Sequence, residues 1–538
     1  MQIDPLKIHK ESKLIHDYRK ENKAIHSYFD YHPFGDFSKR VNDLRERAFP
    51  RRELSNVLDE LNISWDAPES TLENIKRLQD ENSVVVIGGQ QAGLLTGPLY
   101  TVNKVISILQ LSKQKEMELG IPVIPVFWIA GEDHDFDEIN HIYLPEKTKM
   151  KKLKFNQKEG NTNSVSMLPM DRLKVQQWID EIFQALQETA YSKELYKIIL
   201  HSLDSSNSYT DFFARLIFRL FPKEGIVLID SADPLVRKIE RPYFLQLIEK
   251  QNQIAESVHE SLEKLIEEGY STTLEVDKNS ANLFYHLDKE RILLRRNNSG
   301  DWIGKQNEIK LTTNELIRTV KETPSKLSNN VVTRPIMQEL LFPTLAFVGG
   351  PGEISYWATL KNAFHALEIK MPPIIPRLSF TLIDRKVEGV LEEYNISLEL
   401  AVNEGLDQFI QDWISKQSNP PIDYLTKDLK QVIKEKHEPI QKMAKEIRAD
   451  IGDLAEKNLR YLYKEIEFIE RRILKAVEEK YSKEIADIRW VNNILHPGGL
   501  QERIWNPLPW LNAYGIDFIR EMVQANCSYK NPHYIVRI

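Results

Sequence analysis

Four short, almost uninterrupted apolar runs stand out against the polar text of this chain: Val84–Ile87, Ile121–Ile129, Ile226–Ile229 and Leu345–Val348. Each stops at a small-residue or acidic turn, and three of the turns lead into helix-patterned text, from Leu99, Leu235 and Ile354. Runs apolar at every position suit strands buried on both faces, as in a parallel sheet. The predicted architecture is therefore an open α/β sheet, whose ligands bind beyond the carboxyl ends of its strands. Pro373–Ile383 adds a candidate last strand. Residues 1 to about 80 are polar and helical in pattern, a lead-in whose His26, Tyr28 and Arg40 carry little chemical signal. Two stretches interrupt the rhythm and are expected as insertions into the sheet domain. Residues of about 145–215 carry a polar segment and then helical text. Residues of about 270–335 are strand-like, and RILLRRNNSGDWIG has the Asn/Ser/Gly turn of a β-hairpin.

After residue 383 glycines thin out and charge rises. Asp384–Lys416 is helical in pattern, and Ser415–Ile422 is a loop. In Asp423–Ile488 apolar residues recur in steps of three and four: Ile440, Met443, Ile447, Ile451 and Leu454, then Leu459, Leu462, Ile466, Ile469 and Ile473. That is a narrow stripe on a very long helix, roughly 50 residues and about 75 Å at about 1.5 Å per residue. Such a helix needs a partner, either Asp384–Lys416 folding back or a second subunit. Pro439 is expected in its first turn or at a kink. The helical domain is thus placed at 384–488, as an antiparallel coiled coil. The tail, 489–538, is dense in Trp, Pro, Asn and Gly, and is expected to pack back on a core of residues 1–383.

Length and charge narrow the class. The 538 residues call for two or three domains. A balance of 72 basic against 79 acidic residues, a net of −7, leaves no nucleic-acid footprint. One cysteine, Cys527, excludes an intrachain disulfide and a cysteine-rich zinc site. A role for it as a nucleophile is disfavoured, because nothing near it marks an activating environment. The N-terminal text lacks an apolar signal region, and no window approaches 18 uninterrupted apolar residues, so the expected setting is cytoplasmic, without a membrane.

Candidate chemistry gathers at the breaks. Gly88-Gly89-Gln90-Gln91-Ala92-Gly93, followed by Thr96-Gly97, is neither a P-loop, since Leu94 and Leu95 replace Lys and Ser/Thr, nor GxGxxG. It keeps what those motifs share, small residues that let backbone N–H groups approach an anion. Gly89, Gln90, Gln91, Gly93, Thr96 and Gly97 are therefore candidates for binding substrate or phosphate, against a plain packing turn. Glu132–Glu138 places five acids and one histidine in seven residues. Such density repels itself unless a metal, a lysine or a substrate amine offsets it. Asp133, His134 and Asp135 are the catalytic candidates, with His134 as a general base; an acid-rich helix start is the bland alternative. Asp230 at a strand end is a site candidate, whereas Ser231 and Asp233 are placed to cap a helix. Gly349, Gly350, Gly352 and Glu353 form a second anion-type turn, followed by Tyr356 and Trp357, which suit either stacking or core packing. Arg377 stands in apolar text, where an arginine pairs with a carboxylate or a ligand phosphate. In the tail, Trp490, His496, Gln501, Arg503 and Asn506 outline a binding edge or a structured wrap.

In order along the chain, GGQQAGLLTGPLYTVNK, WIAGEDHDFDEIN, GGPGEISYW, PRLSFTLID and HPGGLQERIWNP resemble the bacillithiol-synthesis cysteine-adding enzymes, the BshC family, over essentially the whole length. The resemblance implies a Rossmann-like core with two connecting-peptide insertions and a C-terminal coiled-coil domain that makes a homodimer. It implies the addition of L-cysteine to the glucosamine amine of glucosaminyl-malate, the last step of bacillithiol biosynthesis, with ATP or another nucleotide as cosubstrate. On that reading the two glycine turns hold phosphates or an acyl-adenylate, the acidic loop holds the attacking amine, and Arg377 or Arg503 reads the malate carboxylates. Trp490, His496, Gln501, Arg503 and Asn506 are the candidates for nucleotide contact outside the sheet cleft. The HIGH and KMSKS signatures of class I aminoacyl-tRNA synthetases, which share the core-plus-insertion plan, are absent. Two other classes stay open: a non-catalytic nucleotide- or sugar-binding dimeric scaffold, and a metal-dependent hydrolase centred on Glu132–Asp137.

Overall fold

The computed structural model describes residues 1–146, 149–157, 164–272, 274, 277–288, 290–418 and 420–538. Residues 147, 148 and 158–163 of the first expected insertion, 273, 275, 276 and 289 of the second, and 419 in the loop before the long helix lie outside them. The chain divides into two compact units. One comprises residues 1–144, 152–382 and 502–538; the other comprises 145–151 and 383–501.

The first unit is built on five parallel strands: β1 (Val84–Gln90), β2 (Val123–Ile129), β3 (Val227–Asp230), β4 (Thr344–Gly349) and β5 (Ile374–Pro376). They lie in the order β5-β4-β1-β2-β3. β2, β3 and β4 are buried at every position, as their unbroken apolarity requires. α1 (Leu99–Leu119) follows β1, α2 (Pro234–Glu249) follows β3, and α3 (Pro351–Trp357) follows β4. Asp233 caps α2, accepting from the Leu235 and Val236 N–H groups with Pro234 in the first turn. From β1 the chain builds outward to β2 on one side, while β4 and β5 lie on the other. The order reverses between β1 and β4, and a ligand crevice belongs at that switch point.

The register aligns the chemistry. Gln90 pairs with Ile129, and Ile129 with Asp230, so the two-glutamine turn, the acidic loop and Asp230 leave the sheet at one level. Gly89 is required by close packing: a Cβ there would stand 2.5 Å from the Trp128 carbonyl oxygen.

The second interruption is a five-stranded antiparallel sheet over residues 280–329, and the expected hairpin is present, with Arg296 opposite Trp302. A third sheet pairs the N-terminal strand Gln2–Leu6 antiparallel with His533–Arg537, which lies beside Phe380–Ile383.

The second unit corrects the single long helix. α4 (Ile422–Ile447) and α5 (Ala449–Lys480) are separated at Arg448, which adopts an extended conformation (φ −167°, ψ 139°), and α6 (Ser482–Leu495) follows. α4 and α5 fold back on each other. Lys430 pairs with Glu467 at 3.1 Å, and His437 meets Asn458 at 3.1 Å. The partner of the stripe is therefore the stripe's own second half. Pro439 sits inside α4 rather than in its first turn. Asp384–Lys416 forms three short helices, Arg385–Glu393, Leu398–Glu404 and Asp407–Lys416.

Candidate active site

Both glycine turns leave the sheet at the switch point between β1 and β4. Past β1, Leu95, Thr96 and Gly97 all take left-handed φ values of 50°, 72° and 71°. Two consecutive non-glycine residues there are strained, and such strain persists where surroundings fix it. Asn506 supplies the fixing: its buried amide donates to the Leu95 and Gly97 carbonyls at 3.0 and 2.7 Å. Gly93 and Gly97 pass so closely that a Cβ on Gly93 would lie 2.7 Å from Gly97 Cα. Thr96 is buried, and its hydroxyl has no hydrogen-bond partner among the described residues.

Past β4, the Glu353 carboxylate accepts from Gly350 N–H at 2.7 Å and closes the start of α3. A Cβ on Gly352 would meet nothing within 4 Å, so this turn faces open space. Tyr356 is buried and accepts from Arg334 at 2.7 Å; burial, against the Arg334 charge, pushes its phenol up to about 12. Trp357 packs against Phe347 and Phe364 in the core. Arg377 makes a bidentate pair with Glu502, both bonds at 2.7 Å, and Asn103 donates to the same carboxylate at 2.7 Å.

Lys104, on the buried face of α1, joins the two turns. Its ammonium, 1% exposed, donates to the Gly89 carbonyl at 2.7 Å, to Gln90 Oε1 at 3.2 Å and to Glu353. Burial pulls its pKa below the ordinary lysine range, against the Glu353 charge. A lysine in a helix ordinarily extends into solvent; the signal for this one was its place between Val102 and Val105, with apolar text on both sides.

The acidic loop beyond β2 resolves into separately partnered acids. Glu132 is buried and pairs with Arg237, which also holds Glu240 at 2.5 Å. Asp137 pairs with Lys154 at 2.8 Å. Asp135 accepts from Asp137 N–H, capping the short helix Phe136–Ile139. Gln91 donates to Asp133 Oδ2 at 3.0 Å and to Glu138. Burial raises Asp133, but the Gln91 bond, the Arg291 charge and backbone N–H donors outweigh it and hold the carboxyl below its usual value. His134 is partly exposed, with Nδ1 3.7 Å from Asp133 Oδ1. Asp230 is buried beneath Gly131 and accepts from Ser166 at 2.6 Å and from Ala232 N–H at 2.9 Å; burial pushes it up to about 7. Among the described residues no group of three or more His, Cys, Asp or Glu side chains is arranged to hold a metal ion.

Arg291, from the inserted sheet, closes the loop's far side. Its guanidinium stacks on Phe284, 3.8 Å from the ring centroid, and donates to the Ser328 hydroxyl and the Asn329 carbonyl. One nitrogen then lies 4.0 Å from Asp133 and 3.4 Å from His134 Nδ1. In sequence Arg291 is the first residue of the RILLRRNNSGDWIG hairpin, with nothing in that text to single it out.

Gln90, Gln91, Asp133, His134, Glu353 and the glycine turns thus line one edge of the first unit, with Arg377 and Asn506 serving its walls. Arg503, also in this unit, is exposed. Trp490, His496 and Gln501 belong to the second unit. There Lys386 lies over the Trp490 ring, His496 Nδ1 donates to the Val402 carbonyl at 2.8 Å, and Gln501 donates to the Ile494 carbonyl at 3.0 Å.

Comparison with known proteins covers both units. Residues 1–378 match the family description "Bacillithiol biosynthesis BshC, N-terminal Rossmann-like domain", and residues 380–538 match "Bacillithiol biosynthesis BshC, C-terminal coiled-coil domain". The "Putative cysteine ligase BshC" of Oceanobacillus iheyensis is 41% identical over 543 residues, covering all of both chains. Proteins of the same name from Bacillus thuringiensis (strain Al Hakam) and Bacillus cereus (strain 03BB102) are 40% identical, again over full length.

Proposed function

Because this chain belongs to the bacillithiol biosynthesis BshC family, a family of ligases, we propose that it joins the carboxyl group of L-cysteine to the glucosamine amine of glucosaminyl-malate. The supporting observation is the switch point, where Gln91 of the first glycine turn bonds an anionic Asp133 beside a partly exposed His134, and Lys104 ties that turn to Glu353 of the second. An amide cannot form from a free carboxylate and an amine without activation, and a nucleotide such as ATP supplies it. The open turn at Gly350–Gly352 and the small-residue turn that follows β1 fit a phosphate-bearing group. Asp133 receives the substrate amine, and His134 takes the proton that the nitrogen releases as the carbon–nitrogen bond forms.

Purified protein supplied with cysteine, ATP and glucosaminyl-malate is expected to make the cysteinyl product and release AMP. Product without AMP overturns adenylate activation. Turnover that survives both Asp133→Asn and His134→Ala, in variants that remain folded, overturns the assignment of the loop. A dimer through the helical hairpin is part of the same reading. Val432, Ile440, Met443 and Leu454 remain 45–60% exposed after α4 and α5 have packed together, an apolar stripe suited to a second copy. A monomer by light scattering refutes it.

A further inference from the structure

Five side chains form one continuous line across three strand ends: Glu353, Lys104, Gln90, Gln91 and Asp133. Lysine has three donors and no acceptor, and an ionised carboxylate only accepts. The direction of every bond between them is thereby fixed. Lys104 has all three protons engaged, by Gly89 O, Gln90 Oε1 and Glu353. Gln90 must turn its carbonyl to Lys104, which aims its NH2 at Gln91 Oε1, 3.2 Å away. Gln91 must then aim its own NH2 outward, at Asp133 Oδ2 and Glu138. The carboxylates of Asp133 and Glu138 hold Gln91 from one end and Lys104 holds Gln90 from the other, so a neutral residue in place of Lys104 leaves Gln90 fixed by Gln91 alone.

We propose that Lys104 is a positioning residue which, through the aligned amides of Gln90 and Gln91, orients the Asp133 carboxylate toward the incoming substrate amine. The inference rests on Asp133 receiving that amine, as set out above. It gives the adjacent glutamines a role that a packing turn does not need, since neither asparagine nor a hydrophobe spans the gap from Lys104 to Asp133 with both an acceptor and a donor. The remaining charged or titratable groups around Asp133 are His134, Asp135 and Glu138 on its own loop, and Arg291 from the inserted sheet. Glu138 shares the Gln91 amide with Asp133, whereas His134, Asp135 and Arg291 make no bond to Lys104, Gln90 or Gln91 among the described residues.

The test uses the full-length protein with Lys104→Met and, separately, Gln90→Met, which cuts the line while keeping the buried ammonium. Each is expected to raise KM for the amine substrate about tenfold and leave KM for cysteine within twofold. Each moves the acid limb of the kcat/KM profile up by at most about one pH unit, because the Gln91 bond to the Asp133 carboxylate loses its support without being removed. The double variant behaves like either single one. Lys104→Arg restores part of the amine KM. Equal rises in both KM values, or an unmoved acid limb, overturn the inference. Asp133→Asn separates the two claims: if it leaves the amine KM unchanged, the assignment of Asp133 itself fails, whatever Lys104 does.

Discussion

Replacing Arg377 by methionine isolates the buried pair that ties the C-terminal segment to the sheet. The Arg377 and Glu502 side chains are 8% and 3% exposed, joined by two bonds of 2.7 Å. In Arg377→Met the Glu502 carboxylate keeps one side-chain donor, Asn103, in a site built for a cation. Removing one partner of such a pair costs about 3–5 kcal/mol. Adding Glu502→Gln removes the stranded charge and keeps an acceptor for Asn103, so the double variant should recover roughly half of that loss or more. The pH dependence carries a sign. Burial raises Glu502, but Arg377 outweighs it and holds the carboxyl below its ordinary 4.5. The pair therefore contributes stability that is present above that value and lost as pH falls through the lower, folded one. Without Arg377 the carboxyl is raised instead, so the variant's deficit is full near pH 8 and shrinks toward pH 4 as Glu502 takes a proton. Calorimetric unfolding of parent, single and double variants at pH 5 and 8 measures this. If Arg377→Met unfolds within a degree of the parent but loses affinity for a dicarboxylate substrate, the guanidinium serves the ligand rather than Glu502, and the reasoning fails.

Three further outcomes follow from other contacts. Asp230, pushed up to about 7 by burial, binds a proton in the folded state that the unfolded chain releases near pH 4. Stability thus declines as pH rises between those values, and Asp230→Asn should abolish that decline, gaining a few kcal/mol over the parent at pH 8 in thermal unfolding. Gly89→Ala, whose Cβ meets a backbone oxygen at 2.5 Å, should lose several kcal/mol or fail to fold, while Gly352→Ala, with open space around it, should keep the parent's melting temperature and lose turnover. Cys527 is buried, and burial pushes its thiol up to about 11; mass spectrometry after brief iodoacetamide treatment at pH 7.5 should find it unmodified until denaturant is added.

The strand ends were legible because a β-branched run that stops at paired glycines has few other structures to adopt. The hairpin at Arg291–Gly304 was legible from its Asn/Ser/Gly turn. The break at Arg448 was not, because apolar steps of three and four continue through Ile447 and Ile451 with no proline at the joint. The available signal was Gly452: a Cβ there would come 3.1 Å from Lys445 Cα, so glycine lets the two arms pass closely. The acidic loop looked like unbalanced charge because its cations, Arg237, Arg291 and Lys154, come from distant text. Proximity of that kind is set by the order of strands and by the inserted sheet, which periodicity does not encode. Lys104 and Arg291 were overlooked for one reason. Their carboxylate partners, Glu353 and Asp133, lie far along the chain, and only tertiary packing brings them together.

The pairing of Gln2–Leu6 with His533–Arg537 has a consequence for synthesis. The first unit is not contiguous: 119 residues, 383–501, separate its main body from Glu502–Ile538. When the ribosome has made residue 382, the glycine turn still lacks Asn506, and Arg377 still lacks Glu502. A nascent chain must therefore hold an incomplete core while the whole helical segment is translated, and it closes only as the last strand emerges. Contacts spanning more than 500 residues form late and at high entropic cost. Interrupted translation or C-terminal trimming would leave a sheet with a stranded buried arginine and a strained, unsupported turn, a species prone to chaperone capture rather than a smaller working enzyme.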